Sequence, residues 1–151
     1  IRERSPSRGL GDVYKRQDRD LTLVLNGTLQ RAEFDEGEWE GNDVPLVSRQ
    51  LFYAQANWQA LPWLELSLAH RYVGKRRFDN DQPNDFQQID SYRMTDLEAT
   101  ARYQNAYLRI GAYNLEDELA ADYGVKAISN PSYNAYPLPE RHYRVSLGME
   151  F

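Results

Sequence analysis

The spacing of two carboxylates in the sequence could support acid–base catalysis. Asp96 and Glu98 are two residues apart, which on a β-strand places both on one face about 7 Å from each other. A glycoside hydrolase uses a pair of carboxyl groups at a comparable separation. The alternative is a pair of charges that line water and meet a basic partner, either Arg102 or Arg109. No second element of the sequence supplies a pocket around them, so we predict no catalytic residue and no enzyme.

Acidic residues also raise the question of a metal site. Asp79, Asn80, Asp81 and Asp85 offer hard oxygen ligands suited to Ca²⁺, but their spacing lacks the Gly and the terminal Glu of an EF-hand. The absence of Cys excludes disulfides, thiolate zinc sites and thiol nucleophiles. We therefore expect a solvated turn here, and neither a metal nor a cofactor.

The composition narrows the class of protein. The 151 residues include 11 Tyr, 5 Phe and 3 Trp, yet the mean hydropathy is −0.77. No run of about 18 apolar residues is available for a transmembrane helix. The net charge of −5 argues against a nucleic-acid partner bound through its phosphates. Such a chain fits either a soluble all-β protein or a membrane β-barrel.

Residues 1–17 differ from the rest because they show neither helical nor strand periodicity. The run SRGLGDVYKRQ at residues 7–17 resembles one strand of a transposon-type sequencing adapter translated in frame. Segments of that origin are set aside before a fold is argued. We predict a non-native, disordered segment at 1–17, and we expect 18–151 to be the C-terminal part of a longer natural chain.

After residue 18 the dominant pattern is alternation with period two, which indicates β-strands. Six segments show it. Their apolar phase consists of Leu21, Leu23, Leu25, Gly27 and Leu29; Phe52, Ala54, Ala56 and Trp58; Leu64, Leu66 and Leu68; Leu97, Ala99, Ala101 and Tyr103; Leu108, Ile110 and Ala112; and Tyr143, Val145, Leu147, Met149 and Phe151. The pattern predicts six strands of about ten residues, a length typical of membrane barrels.

The connections between these strands alternate in length. Long polar stretches occupy residues 35–49, 75–91 and 116–141, whereas tight turns lie at 60–62 and 104–105. This asymmetry is typical of an outer-membrane barrel with long external loops and short periplasmic turns, and it predicts a periplasmic C-terminus. Aromatic residues flank the short turns or end the last strand, as an interfacial girdle requires: Trp58, Trp63, Tyr103, Tyr107 and Phe151.

A soluble barrel or sandwich would show the same alternation with its apolar face turned inward. Charges on the other face suit a hydrated lumen, and the strands are longer than is usual in soluble sheets, so both features favour the membrane. His70 is an exception, because it falls on the apolar phase. We predict an all-β fold, an antiparallel up-and-down transmembrane β-barrel of which only the last six strands are present, as an open curved sheet.

Five motifs, in order, resemble the C-terminal end of a TonB-dependent outer-membrane receptor. They are VPLVSRQ at 44–50, RYVGKRRFDND at 71–81, SYRMTDLEATARY at 91–103, YNLEDELAADYG at 113–124 and YPLPERHYRVSLGMEF at 136–151. Glu116 stands where the family often has Phe, and Glu140 where it commonly has Gly. These departures leave the subfamily, and with it the ligand, open.

The resemblance implies an active transporter of the Gram-negative outer membrane that imports a scarce nutrient, most often a ferric siderophore. Family members have a 22-stranded barrel around an N-terminal plug, which TonB moves by drawing on the inner-membrane proton gradient. The implied partners are the TonB complex, acting through a plug that we expect upstream, the barrel-assembly machinery, outer-membrane lipid and the ferric siderophore. A porin-like channel and a soluble β-barrel that binds a small ligand are the alternatives.

Two sets of candidate site residues follow. The terminal strand resembles the segment that the barrel-assembly machinery recognises, and its apolar positions are Tyr143, Val145, Leu147, Met149 and Phe151. Basic and aromatic residues of the outer loops could bind an anionic iron chelate through charge and stacking, and they are Lys75, Arg76, Arg77, Phe78, Tyr133 and Tyr136. In the alternative, the basic loops meet lipopolysaccharide phosphates or solvent.

Overall fold

A computed structural model describes residues 14–18, 20–128 and 132–150, and within them every regular element is a β-strand. The same residues contain no helix long and apolar enough to cross a membrane. The strands are β1 (Tyr14–Asp18), β2 (Leu21–Leu29), β3 (Gln50–Leu61), β4 (Leu64–Val73), β5 (Arg76–Arg77), β6 (Gln88–Ile89), β7 (Tyr92–Tyr103), β8 (Ala106–Tyr113), β9 (Ala121–Lys126), β10 (Tyr133–Pro137) and β11 (His142–Met149).

One large antiparallel sheet contains all six predicted strands. Its order is β1-β2-β3-β4-β7-β8-β11, so each strand pairs with its neighbour in the chain apart from the two small hairpins inserted in the long loops. Those hairpins are β5-β6 and β9-β10. β1 and β11 are the edges of the sheet, and no pairing joins them among the described residues. The predicted fold, an open antiparallel up-and-down sheet, is confirmed.

Strand β1 includes residues 14–17, the end of the segment that we predict to be disordered. Tyr14–Asp18 pairs antiparallel with β2, from Tyr14 opposite Leu25 to Asp18 opposite Leu21. The physical reason is that the outer edge of β2 carries unpaired backbone N–H and C=O groups, which the preceding chain satisfies by folding back alongside. Residues 1–13 lie outside the described part of the chain, and the non-native origin of the segment stays a prediction.

Strand register aligns the apolar positions across the sheet. Because neighbouring strands pair antiparallel with matched alternation, residues of one phase stand side by side on one face. One row is Leu23, Ala56, Leu68, Leu97, Ala112 and Tyr143, and the next is Leu21, Trp58, Leu66, Ala99, Ile110 and Val145. The sheet therefore has one continuous apolar face.

This apolar face is not a protein core. Ile110 is 51% exposed, Val145 68% and Leu147 79%, although all three are large hydrophobic residues on central or edge strands. The buried hydrophobic side chains of the described residues are Phe78, Ile89, Tyr92 and Met94, which lie in the long loops or at the loop end of β7. The apolar rows thus do not meet one another in a dry interior, as a small soluble barrel would require.

The opposite face is polar and internally hydrogen-bonded. Gln55 on β3 accepts a hydrogen bond from Tyr53 Oη at 2.9 Å and donates to Ser67 Oγ on β4 at 3.2 Å. Arg109 Nε lies 3.2 Å from a Glu98 carboxylate oxygen across β7 and β8. A face of this composition suits contact with water.

The carboxylates that resemble an acid–base pair belong to this polar face. Asp96 accepts a hydrogen bond from the Asn114 backbone N–H at 2.9 Å. Glu98 accepts one from Tyr113 Oη at 2.8 Å as well as pairing with Arg109. Both carboxylates therefore form hydrogen bonds and an ion pair within the sheet and with the turn that follows β8. This agrees with the interpretation that they are charges lining a lumen.

The aromatic girdle requires one correction. Trp58 and Tyr103 lie on the apolar phase next to the short turns and are exposed, as predicted. Tyr107 instead has the parity of the polar face: it pairs with Gly148 and with Arg102, and the Arg109 guanidinium stands 5.7 Å from its ring centroid. The physical reason is strand alternation, because flanking a turn fixes the height of a side chain and not its face. Phe151 lies outside the described residues.

Candidate functional site

The three long loops meet at one end of the sheet and bind one another. Asn42 Nδ2 in the first loop donates to the Gln82 carbonyl in the second at 2.9 Å. The backbone N–H of Asp79 in the second loop donates to Gly124 in the third at 2.8 Å, and that of Lys126 returns a bond to Asp79 at 2.9 Å. We call this packed assembly of residues 30–49, 74–91, 114–128 and 132–141 the loop cap.

An aromatic cluster forms the centre of the loop cap. Phe78 is only 3% exposed, and its ring centroid lies 5.6 Å from that of Phe86 and 5.0 Å from that of Tyr133. Phe78 is therefore a buried side chain in this arrangement, and its contact with a ligand stays a prediction. The physical reason for this burial is hydrophobic packing, because the Phe78 ring lies against Phe86, Tyr133 and Gly124 and so leaves water.

Arg76 is likewise a structural side chain in this arrangement and not a free cation. Its side chain is 4% exposed. One guanidinium nitrogen donates to the carbonyl oxygens of Ala121 at 2.6 Å and Asp122 at 2.7 Å, and the group lies 5.7 Å from the ring centroid of Tyr92. Arg76 thus ties the second loop to the third, and its contact with a chelate stays a prediction.

Arg77 belongs to a partly buried charge network. It donates to the Phe86 carbonyl at 2.9 Å and lies 3.6 Å from Asp81, whose side chain is fully buried. The Lys126 ammonium approaches the same carboxylate at 3.4 Å and also pairs with Asp85. Through these contacts Asp85 raises the pKa of Lys126, and the ammonium lowers the pKa of Asp85. A buried carboxylate is tolerated here because two cations face it.

The acidic turn that raised the question of Ca²⁺ is occupied by protein partners. Tyr123 Oη donates to Asp79 at 2.7 Å, and this hydrogen bond to a carboxylate raises the pKa of Tyr123. Asp81 also accepts the Phe86 backbone N–H at 3.2 Å. Among the residues that the structure describes, no group of three or more His, Cys, Asp or Glu side chains is arranged to hold a metal ion.

Three of the six predicted ligand-contact side chains reach the surface of the loop cap. Lys75 is exposed and pairs with Asp90 at 3.1 Å. Tyr133 and Tyr136 are half exposed on the β9–β10 hairpin, where the ring of Tyr136 lies 5.4 Å from that of Tyr123. The exposed surface therefore combines one flexible cation with aromatic rings suited to stacking.

The sequence pattern did not identify Lys126 and Tyr123 as members of this site. Both act on residues more than forty positions away, on Asp85 and Asp79 respectively. The one local signal was Gly124 between them, since a glycine inside a strand often marks a close approach of another group. Here the close group is the Phe78 ring.

His70 lies on the apolar face at its upper limit, next to the loop cap. Its Nδ1 is 2.9 Å from Thr95 Oγ1 on the neighbouring strand. The Thr95 backbone N–H in turn donates to Glu116 at 2.7 Å. The imidazole therefore has a polar partner where the apolar rows end, which accounts for an otherwise misplaced residue.

The last strand is an open edge with an apolar face. β11 pairs with β8 from His142 opposite Tyr113 to Met149 opposite Ala106, and its other side has no partner among the described residues. The alternate side chains are exposed: Tyr143, Val145, Leu147 and Met149. The predicted fifth member of this set, Phe151, is outside the described residues.

This chain is similar to known proteins in structure and not detectably in sequence. No protein-family model matches the sequence, and neither does any curated protein. The ferric-catecholate import receptor Fiu of E. coli K12 in its closed form aligns with a TM-score of 0.75 at 18% identity, over 89% of this chain and 19% of the receptor. The siderophore receptor PiuA of Acinetobacter baumannii aligns with a TM-score of 0.74 at 17% identity, over 86% and 19%.

A third solved structure agrees with these two. The ferric yersiniabactin uptake receptor FyuA of Yersinia pestis aligns with a TM-score of 0.72 at 23% identity, over 87% of this chain and 21% of the receptor. The chain thus spans about a fifth of the length of the structures it matches. The likeness shows that this chain has the fold of a part of these receptors.

Proposed function

We propose that this chain is the C-terminal part of the barrel of a TonB-dependent outer-membrane receptor that imports a ferric siderophore. The observation that carries the proposal is the two-faced open sheet, whose apolar rows are aligned across six strands and left exposed. Hydrocarbon is the environment in which such a face is stable, while the hydrogen-bonded polar face borders a hydrated lumen.

The proposed orientation of the sheet in the membrane is inferred from the difference between its two ends. Tight connections join β3 to β4 and β7 to β8, whereas the loop cap is at the other end. Short turns face the periplasm in outer-membrane barrels and long loops face outward. In this proposal the end of β11 is periplasmic, and Trp58 and Tyr103 anchor the periplasmic interface.

The transported ligand is proposed from the neighbours together with the loop cap. The solved structures that resemble this chain are receptors for ferric catecholates, siderophores and ferric yersiniabactin. Exposed Tyr133 and Tyr136 offer stacking surfaces for aromatic chelates, and Lys75 offers a positive charge for an anionic one. These three side chains are our proposed external contacts, acting with residues of the rest of the receptor.

Energy for import is proposed to come from TonB, which acts on a plug domain and not on this segment. In this proposal the polar face of the sheet contributes a charged inner surface against which such a plug can move. We propose no covalent chemistry for this chain, and the carboxylates of Asp81, Asp96 and Glu98 are engaged in ion pairs and hydrogen bonds.

Uptake of radioactive iron tests this function. The complete reading frame that contains this chain is expressed in a Gram-negative strain deleted for its own siderophore receptors, with and without TonB. We expect saturable uptake of iron carried by a catecholate siderophore, and loss of that uptake without TonB. Tyr136→Ala should raise the half-saturating concentration several-fold, whereas Tyr103→Phe, at the other end of the sheet, should not.

Two outcomes would overturn the proposal in different ways. Non-saturable entry of small solutes that is equal in both TonB backgrounds would identify a porin-like channel. Recovery of the protein in the soluble fraction, with none in outer membranes, would favour a soluble ligand-binding barrel.

A further inference from the structure

The third long loop is fastened to β7 at Thr95, just beyond the point where regular pairing with β8 stops. That pairing ends at Leu97, and after β8 the chain turns at Asn114, which has a φ of 54°. The Leu115 backbone N–H then donates to the Thr95 carbonyl at 2.9 Å, and the Glu116 carboxylate accepts the Thr95 backbone N–H at 2.7 Å. A side chain thus replaces a strand acceptor. Phe, which the resembling family often has at position 116, accepts no hydrogen bond.

The same carboxylate is connected to an imidazole through the Thr95 hydroxyl. This hydroxyl donates to the second carboxylate oxygen of Glu116, and His70 Nδ1 lies 2.9 Å from the hydroxyl oxygen. Because the hydroxyl proton points to the carboxylate, the hydroxyl oxygen accepts from His70, and Nδ1 is the ring nitrogen that carries a proton. Nε2 is then the atom that takes up a proton when the imidazole becomes a cation. Protonation therefore keeps these hydrogen bonds and adds a positive charge beside them.

The neighbouring strands place no other group near His70 that changes charge between about pH 5 and 8. Its cross-strand neighbour on β3 is Ala54, which has no titratable group. Tyr72 follows it on the same face of β4, opposite Arg93 on β7. Phenol and guanidinium groups keep their charge state in this range.

The third loop contributes acidic groups and one further cation. Burial opposes ionisation of the Glu116 carboxyl, but the hydrogen bonds from Thr95 hold the pKa of Glu116 below its ordinary value, and a charge on His70 adds to this lowering. Asp117, the next residue, accepts the Arg141 backbone N–H at 2.9 Å, and the Arg141 guanidinium donates to a carbonyl of the same loop at 2.8 Å. Carboxylates and guanidinium groups stay charged between about pH 5 and 8, so the imidazole is the member of this set that titrates there.

We propose that His70, Thr95 and Glu116 form a proton-sensitive latch that fastens the start of the third loop to β7 and holds it more tightly when the imidazole is charged. Opening withdraws Glu116 with the loop and leaves His70 on β4, so it separates a carboxylate from the ring. This separation is harder when the ring is a cation, because opposite charges attract. The latch itself depends on the fold, whereas any effect on ligand contacts at Tyr133 and Tyr136 rests on the proposed function.

Hydrogen exchange of the complete receptor in lipid nanodiscs measures the latch. The readout is the protection of the peptide that contains residues 115–120, corrected for intrinsic exchange rates. We expect protection to fall about two- to fivefold as the pH rises from about 5.5 to about 8, which is the factor that one partly exposed ion pair supports. The peptide that contains Lys126 should not change, because the ion pair of Lys126 with Asp85 keeps both charges in this range.

Three variants assign the pH step to its groups. His70→Gln keeps a hydrogen-bond donor but cannot take up a proton, so the step should vanish and protection should stay near the wild-type value at about pH 8. Glu116→Gln should also abolish the step, and it should lower protection at every pH. His142→Gln is the matched control, because it removes the other histidine of this chain, whose Nδ1 lies 2.9 Å from the Glu140 carbonyl. The step should persist in this control.

Protection of the 115–120 peptide that does not change with pH in the wild-type receptor would overturn the proposal, whether or not any variant folds. A step that persists in His70→Gln, or that disappears in His142→Gln, would overturn it by assigning the titration to another group. Iron uptake is measured separately on the same receptor. A receptor that shows the step and does not transport iron would refute the import function and leave the latch standing.

Discussion

A methyl group at the Gly124 position would lie 2.4 Å from Cε1 of Phe78, closer than any side chain tolerates. These two residues, 46 positions apart in sequence, form the contact through which the third long loop closes over the aromatic cluster of the second. The backbone on either side of the contact is hydrogen-bonded, since Asp79 donates to Gly124 and Lys126 donates to Asp79. Packing of the loop cap therefore depends on the absence of a side chain at one position.

Gly124→Ala should loosen the loop cap by overpacking it. Forcing a methyl group against the Phe78 ring costs about 1–3 kcal/mol in a packed site. Hydrogen-exchange protection of the peptide that contains Lys126, measured in the complete protein, should fall accordingly. Gly27→Ala is the matched control, because nothing lies within 4 Å of a Cβ built there. Unchanged protection in Gly124→Ala would show that the hairpin does not pack on Phe78.

Lys126→Met should destabilise the same region through charge. The substitution leaves the fully buried Asp81 carboxylate with Arg77 as its one cationic neighbour. A buried acceptor that loses a partner costs about 1–3 kcal/mol. Asp85→Asn removes the exposed end of the network and should destabilise the loops less, because an exposed ion pair contributes little. The protease sensitivity of the loops on intact cells compares the two variants, Lys126→Met and Asp85→Asn. Equal sensitivity in both variants would contradict the burial of Asp81.

The Lys126–Asp85 pair also predicts a pH window. The pKa of Asp85 is lowered in the folded cap, so its stabilisation is complete above the ordinary Asp value and is lost as the pH falls below about 4. The pKa of Lys126 is raised, so its contribution is lost only as the pH rises above about 10. Exchange protection of the peptide that contains Lys126, corrected for intrinsic rates, should be flat between these limits. Asp85→Asn should weaken the acidic transition, and an unaltered transition in that variant would assign it to another group.

Leu68→Arg should impair membrane insertion, whereas Ser67→Arg should not. Leu68 lies in the apolar row between Ala56 and Leu97, while Ser67 lies on the polar face of the same strand. A cation facing the middle of the bilayer costs about 2–4 kcal/mol, and one in the lumen meets water. The amount of heat-modifiable protein in outer-membrane fractions compares the two variants. A reversed ranking would invert the proposed orientation of the sheet.

Deletion of Phe151 from the complete receptor should lower its level in the outer membrane several-fold. The reason is that β11 is an open edge with an exposed apolar face, which can add to the edge of an assembly partner. Immunoblots of outer-membrane fractions measure the level. A normal level would refute a signal role for the terminal strand.

Local pattern alone determined the six strands and their two faces. Alternation with period two depends on the chain geometry of single strands, so Leu23 and Leu68 could be placed on the apolar face before any partner was known. Antiparallel pairing with short turns then aligned those rows, because a register shift by one residue would place charged side chains in the apolar face. The same reasoning failed for Tyr107, where proximity to a turn said nothing about parity.

Only the tertiary structure decided the roles of the loop residues. Arg76 and Phe78 have the composition of ligand contacts, yet contacts with residues 121–122 and with Gly124 enclose them. Such contacts join positions that are more than forty residues apart and leave no periodic signal in the sequence. Loop packing is decided by which side chains exclude water together, and that depends on how the sheet brings the loop ends to one rim.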